Sequence, residues 1–180
     1  MGIRFRGMRF RGIQWIALTA LMLLLGGGLG LPAQALPLAS LHTYHERPEQ
    51  TTLRSRQSFR DRTDRAWQTI LFKRYDGSAL QGLYLRVVGF PGVADIDPER
   101  PLQIQTGTAL QWQCPPELDP QTPALPSNTA QYSVFAVFDE LQKDIPLDLV
   151  IPLRSGRSAT VVIPPYGVSE WRQLAAQSPQ

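Results

Sequence analysis

Asp76-Gly77 stands between two runs, Ala66–Tyr75 and Leu80–Phe90, that are rich in aromatic, β-branched and other apolar residues. An Asp-Gly pair suits a two-residue type I′ turn, where both central residues take positive φ and the twist of the turn matches that of its strands. A hairpin follows, and with it an antiparallel β framework. Pairing Tyr75 with Ser78 puts Ile70 and Phe72 on the core face with Leu83, Leu85 and Val87, because partners share a face and side chains alternate with period two. The opposite face then carries Trp67, Leu71 and Tyr75 beside Leu80, Tyr84 and Arg86. It is either covered by a second layer or an aromatic binding surface.

Before this hairpin, Leu53–Phe59 alternates weakly, and the charged segment Arg60–Arg65 reads as a turn. After it come the acidic loop Asp95–Pro101 and two short strands, Leu102–Gln105 and Ala109–Gln113. Residues 115–129 are proline-rich and aperiodic, which suits a long surface loop. The spacing of Phe135, Val137, Phe138 and Leu141 predicts a short helix over Val134–Lys143. A second hairpin joins the alternating runs Leu147–Leu153 and Ala159–Ile163 through Ser155-Gly156-Arg157. Pro164-Pro165 ends that strand and opens a helix, since proline at the first helical position gives up an N–H that would be unpaired anyway. Val168, Trp171 and Leu174 or Ala175 give this helix an apolar stripe to lay on a sheet. The expected fold is mainly β, with about seven or eight antiparallel strands in a sandwich or strongly bent sheet and a C-terminal helix; α+β is the alternative.

The domain is expected over residues 51–180, after a flexible arm at 36–50 and an export signal at 1–35. Arg4, Arg6, Arg9 and Arg11 form a basic leader, an apolar run spans Ile13–Leu31, and Ala33-Gln34-Ala35 supplies a small-residue cleavage site. A retained anchor is the alternative to cleavage after Ala35. The arginines are never adjacent and no cysteine lies near the site, which argues against twin-arginine and lipoprotein routes. The segment also controls the electrostatics. Without it the chain keeps 14 Lys+Arg against 15 Asp+Glu, so the precursor's net charge of +3 falls to −1. A nearly neutral domain is not a nucleic-acid binder by bulk charge.

Catalytic and metal sites are not expected. His42 and His45 match no zinc spacing, and Asp95, Asp97 and Glu99 alternate as hard-cation ligands do but lack the glycine turn and terminal glutamate of a calcium loop. Cys114 has no neighbouring base to activate it and no second cysteine to bridge. No Gly-x-Ser-x-Gly elbow, phosphate loop or dinucleotide fingerprint occurs, and no cofactor is implied. The strongest local bias is arginine: Arg47, Arg54, Arg56, Arg60, Arg62 and Arg65 are interleaved with Glu46, Glu49, Asp61 and Asp64. On an extended strand Arg54, Arg56 and Arg60 share a face, and arginine is the cation suited to bidentate contacts and to stacking on rings. Trp67, Tyr84 and Arg86 join them in the expected register as a partner-binding set, the alternative being a salt-bridged edge strand over a second core layer.

Leu53-Arg54-Ser55-Arg56-Gln57-Ser58, Arg65-Ala66-Trp67-Gln68, Phe72-Lys73-Arg74, the run Leu83–Val93, Ile163-Pro164-Pro165 and Glu170-Trp171 together resemble an exported cyanobacterial family known as a domain of unknown function. The most specific part is Leu85-Arg86-Val87-Val88-Gly89-Phe90-Pro91-Gly92. The resemblance implies a periplasm or thylakoid lumen and no particular activity. The expected function is therefore a non-enzymatic accessory or assembly factor that contacts a membrane-associated protein complex, with peripheral membrane contact, through the arginine and aromatic face. A carrier or sensor of a small apolar or pigment-like ligand is the second expectation, and an exported enzyme the third.

Overall fold

The computed structural model describes Gly2, residues 41–47, 50–118 and 124–178, with the backbone alone for Leu41, His42 and residues 45–47. The expected export segment and the start of the arm lie outside the described residues, as does the middle of the proline-rich loop.

The described residues form nine strands and two helices: β1 (Leu41–Arg47), β2 (Gln50–Arg60), β3 (Ala66–Asp76), β4 (Ala79–Val88), β5 (Leu102–Thr106), β6 (Gln111–Cys114), β7 (Thr129–Ser133), α1 (Phe135–Glu140), β8 (Leu147–Pro152), β9 (Ser158–Ile163) and α2 (Pro165–Ala176). The strands make two antiparallel sheets, ordered β1-β2-β3-β4-β7 and β6-β5-β8-β9. The chain is mainly β, with a C-terminal helix and, among the described residues, no closed barrel. The sheets are nevertheless joined at their margins. Asp61 bridges to Val161, and beyond β6 the chain crosses to pair Pro116 with Tyr132 of β7.

Alternation explains the core. Leu53, Phe59, Trp67, Leu71, Leu83, Leu85, Val87 and Tyr132 point inward from the first sheet, and Leu102, Ile104, Trp112, Leu147, Leu149, Ile151, Val161 and Ile163 from the second. The outward positions of the second sheet are largely polar, including Gln103, Gln105, Gln111 and Gln113. Val168, Trp171 and Leu174 bring the predicted stripe of α2 into the same core, and Pro165 stands in its first turn. Gly167 permits this docking: a Cβ there would lie 2.6 Å from Gln57 Oε1 and 3.2 Å from Phe59 Cζ on β2.

Four expectations are corrected. The arm includes a strand, because the backbone of β1 finds a ladder on β2 with Leu41 opposite Ser55. The first residues of the loop at 115–129 are paired with β7: Ser133 N donates to Pro115 O and Glu117 N to Gln131 O, each at 3.0 Å. β7 follows, with only Ala130 and Tyr132 turned inward, too few apolar positions to mark a strand. Helix α1 stops at Glu140 because Leu141 is extended.

The fourth correction is the register of the first hairpin. Asp76 pairs with Ala79, and a bulge between Arg74 and Tyr75 lets β4 contribute an extra residue, Gln81, so that Phe72 faces Tyr84 and Ile70 faces Arg86. One extra residue turns every following side chain to the other face. Trp67 and Leu71 therefore share the core with Leu83, Leu85 and Val87, while Ile70 and Phe72 face outward.

Candidate interaction face

The outward side of the five-stranded sheet gathers most of the residues singled out in the sequence. Arg54 lies in a row with Phe72 and Tyr84, and Arg56 in the next row with Ile70, Arg86 and Gln131. Arg60 and Arg74 continue the same face along β2 and β3. Among the described residues of β2, β3 and β4, Asp76 at the hairpin end is the only carboxylate on this side. Arg56 and Arg60 are exposed, Arg54 and Arg86 half-buried, and Arg74 buried.

Phe72 is the centre of the arrangement. Its ring lies 5.4 Å from that of Tyr84, and the guanidiniums of Arg86 and Arg74 sit 5.4 and 5.7 Å from its centroid. Arg54 stacks 4.2 Å over the Tyr44 ring from β1. Such contacts contribute about 0.5–1 kcal/mol each where exposed, and more where water is excluded. Arg86 is also fixed in plane, donating through Nε at 3.1 Å and Nη2 at 2.7 Å to Gln131 Oε1. The Gln131 amide is itself oriented by donating to Glu117 O at 3.0 Å.

Tyr84 owes its position to Gly82. A Cβ at Gly82 would fall on the Tyr84 ring, so the ring lies across the glycine and its hydroxyl reaches Gln81 O at 3.4 Å. Burial pushes the Tyr84 phenol pKa up and the Glu117 carboxylate adds to this, with Arg74 opposing; the group is thus neutral at physiological pH.

Trp67 is not on this face. It is 3% exposed in the core, and its indole N–H donates to Asp61 Oδ2 at 2.9 Å. Arg60 leans toward the turn, 3.3 Å from Asp64 Oδ1, and Arg62 pairs with Asp148 on β8 at 3.0 Å. Arg54, Arg56, Arg60, Tyr84 and Arg86 are thus brought together, and Phe72 and Arg74 take the place given to Trp67. Sequence reasoning missed them through the bulge; Gly82 inside a strand was the available sign, since a strand glycine often marks a bulge or a close approach.

The other candidates have structural surroundings. Cys114 is buried opposite Leu102, and burial pushes its thiol up to about 12, far from a nucleophilic thiolate. Asp95 lies 3.6 Å from Arg154, and Asp97 Oδ1 accepts from Glu99 N at 3.1 Å within the acidic loop. The side chains of His42 and His45 lie outside the described residues. Beside β7, a cavity of about 500 Å³ is walled by Ile96, Pro116, Leu118, Leu125, Pro126 and Ala130, with Gln131 and Arg154 as polar lining. Among the described residues no helix is long and apolar enough to cross a membrane.

An antiparallel sandwich with a stacked arginine and aromatic surface defines a β-rich domain with a candidate recognition face. Residues 39–174 match the family model for DUF3122, a protein of unknown function, and the chain belongs to that family. No curated protein and no solved structure matches it.

Proposed function

We propose that this protein is a non-enzymatic exported accessory or assembly factor, acting in a cyanobacterial periplasm or thylakoid lumen, that contacts a membrane-associated protein complex through its arginine and aromatic face. The observation that carries the reading is the clustering of Arg54, Arg56, Arg74 and Arg86 about Phe72 and Tyr84 on one side of a sheet whose other side is core. Arginine and tyrosine are frequent energetic anchors of interfaces, and rings already packed in place reduce the ordering cost of binding. The basic leader and the Ala33-Gln34-Ala35 site support export; without cleavage the same segment tethers the domain to a membrane. Affinity isolation of the native protein from cyanobacterial membranes tests this reading. Charge reversal at Arg54, Arg56 and Arg86 is expected to abolish co-purification of the complex while the far-UV spectrum is kept; unchanged co-purification sinks it.

The cavity beside β7 favours a second reading, a carrier or sensor of a small apolar or pigment-like ligand, because its volume and lining fall in the range of small-molecule sites. Native mass spectrometry of the gently purified protein is then expected to retain a bound small molecule. Its loss when Ala130 is enlarged to Phe would assign it to this cavity.

A further inference from the structure

We propose that the loop from Phe90 to Val93 is a lipid-contact tip, whose Phe90, Pro91 and Val93 enter the boundary between headgroups and acyl chains of a bilayer. The surface is distinct from the arginine face and does not depend on it.

The sequence makes this loop apolar and the fold makes it protrude. From Val87 to Ala94 no residue has a polar side chain. Val93 N and Ala94 N both donate to Phe90 O, at 3.1 and 3.0 Å, which closes a turn with Pro91 and Gly92 at its centre. Proline presets the first central position, and the second takes the positive φ that glycine allows, 74° at Gly92. The base of the loop is clamped. Gly89 N donates to Asn128 O at 2.8 Å, Asn128 Nδ2 donates back to Gly89 O at 2.7 Å, and Ala94 and Ile96 are buried beyond the turn. Phe90 and Val93 are thereby held outside the core. At 63%, Phe90 is the most exposed hydrocarbon side chain among the described residues, and Val93, three positions on, is 50% exposed.

The backbone favours hydrocarbon as the occupant. A segment that enters an apolar phase must take its polar groups in already bonded. Gly89, Val93 and Ala94 donate internally, Gly89 O and Phe90 O accept internally, and Pro91 has no N–H. A protein partner fits less well, because protein interfaces carry about one hydrogen bond per 100–200 Å² and this tip has no side chain to supply one. Nor does charge carry the contact. At this end of the sandwich Arg60 lies 3.3 Å from Asp64 and Arg154 3.6 Å from Asp95, while Arg65 stands in the wall beside Phe90 and Val93, and Asp97 and Glu99 follow in the acidic loop. Mixed charge of this kind gives little pull toward an anionic surface, so burial of apolar area is the driving term.

Phe90→Trp, in the protein purified from its native host, places a fluorescent reporter at the tip. It is mixed with phosphatidylcholine vesicles brominated on their acyl chains, with and without phosphatidylglycerol. A blue shift and quenching in excess of the wild type's are expected, equal in both vesicles and insensitive to salt. Phe135→Trp, on α1 beyond the opposite end of β4, is expected to show neither, which separates insertion of the tip from tethering of the whole chain. Adding Val93→Asp to Phe90→Trp is expected to weaken vesicle binding by the tip at least about tenfold. Val93→Ser is the second variant should the aspartate alter the far-UV spectrum. Absence of quenching at position 90, equal quenching at position 135, quenching retained in both Val93 variants, or quenching lost as salt is raised would overturn the proposal. A blue shift at position 90 with native membranes but not with protein-free vesicles would assign the tip to a protein partner and overturn the lipid contact. Co-purification of a complex through the arginine face is unaffected by any of these results.

Discussion

A carboxylate withdrawn from water is stable as an anion only where donors replace its hydration, and Asp61 illustrates the condition. Burial raises its pKa, but Thr63 Oγ1, Trp67 Nε1 and the backbone N–H groups of Arg65 and Thr63 all donate to it, and the net result lies below the usual carboxylate range. A depressed folded-state pKa gives stability that is present above the unfolded value of about 3.9 and is lost as pH falls through the folded one. Asp61→Asn is therefore expected to cost about 1–3 kcal/mol at pH 7. In urea denaturation its deficit against wild type should shrink as the pH is taken below about 3.9; a deficit constant with pH would mean that the charge is not the source. Tyr132 is the opposite case. Its ring is fully buried on β7 and its hydroxyl has no hydrogen-bond partner among the described residues, so burial, with Asp97 and Cys114 adding to it, raises its pKa strongly. Removing an unpaired buried polar group relieves a desolvation cost, and Tyr132→Phe is expected to leave the melting temperature unchanged or raise it. Only the first of these was visible in the sequence, as a charged turn; the partner of a buried group depends on what the fold brings to it.

Elements depend on such contacts at their ends. The last carbonyls of α2 lack intrahelical partners, and Lys73, buried on the inner face of β3, donates to Ala175 O at 2.6 Å and Gln177 O at 2.8 Å, while Tyr75 Oη donates to Gln177 O at 2.9 Å. A cation at the negative end of the helix dipole satisfies both the hydrogen-bond and the electrostatic requirement. Lys73→Met keeps the apolar stem and removes the donor. It is expected to lower stability by about 1–3 kcal/mol and to speed amide exchange at the end of α2; unchanged protection there would mean that packing alone holds the helix. Elements with strong local chemistry were legible, namely the turn at Gly156, the alternation of β8 and β9, and the proline-led stripe of α2, whereas the first hairpin turns on Gly77-Ser78 and not on an Asp76-Gly77 pair of positive φ, because Asp76 is already paired with Ala79. β1 and β7 were not, because edge-seeking backbone and polar alternation leave little mark on composition. The candidate site was half legible for the same reason. Arg54, Arg56 and Arg60 share a face by period two on a single strand and regular pairing with β3 adds Phe72 and Arg74, whereas Tyr84 and Arg86 join them only through a bulge at Gln81, which no local pattern specifies.

For the molecule as a whole, the consequence is a division of labour between the two sides of one sheet. The inner side belongs to a core shared by both sheets and α2, with Trp67 from β3, Trp112 from β6 and Trp171 from α2 at 3%, 7% and 1% exposure. The outer side carries the arginine forks, and an exposed position such as Arg56 can change without entering that core. Arg56→Glu is accordingly expected to shift unfolding free energy by no more than about 0.5 kcal/mol, whereas Leu71→Ala, one strand away on the inner face, should cost about 2–5 kcal/mol. Because the sheets exchange chain at Asp61 and Pro116, neither has a core of its own to fold on. Far-UV circular dichroism, which follows the strands, and near-UV circular dichroism, which follows the packed rings, should therefore report one transition with a common urea midpoint. Leu71→Ala should move both midpoints together. Separation of the two signals in that variant would show that the sheets unfold independently, and the arginine face would then lose the rigid support on which the proposed recognition role depends.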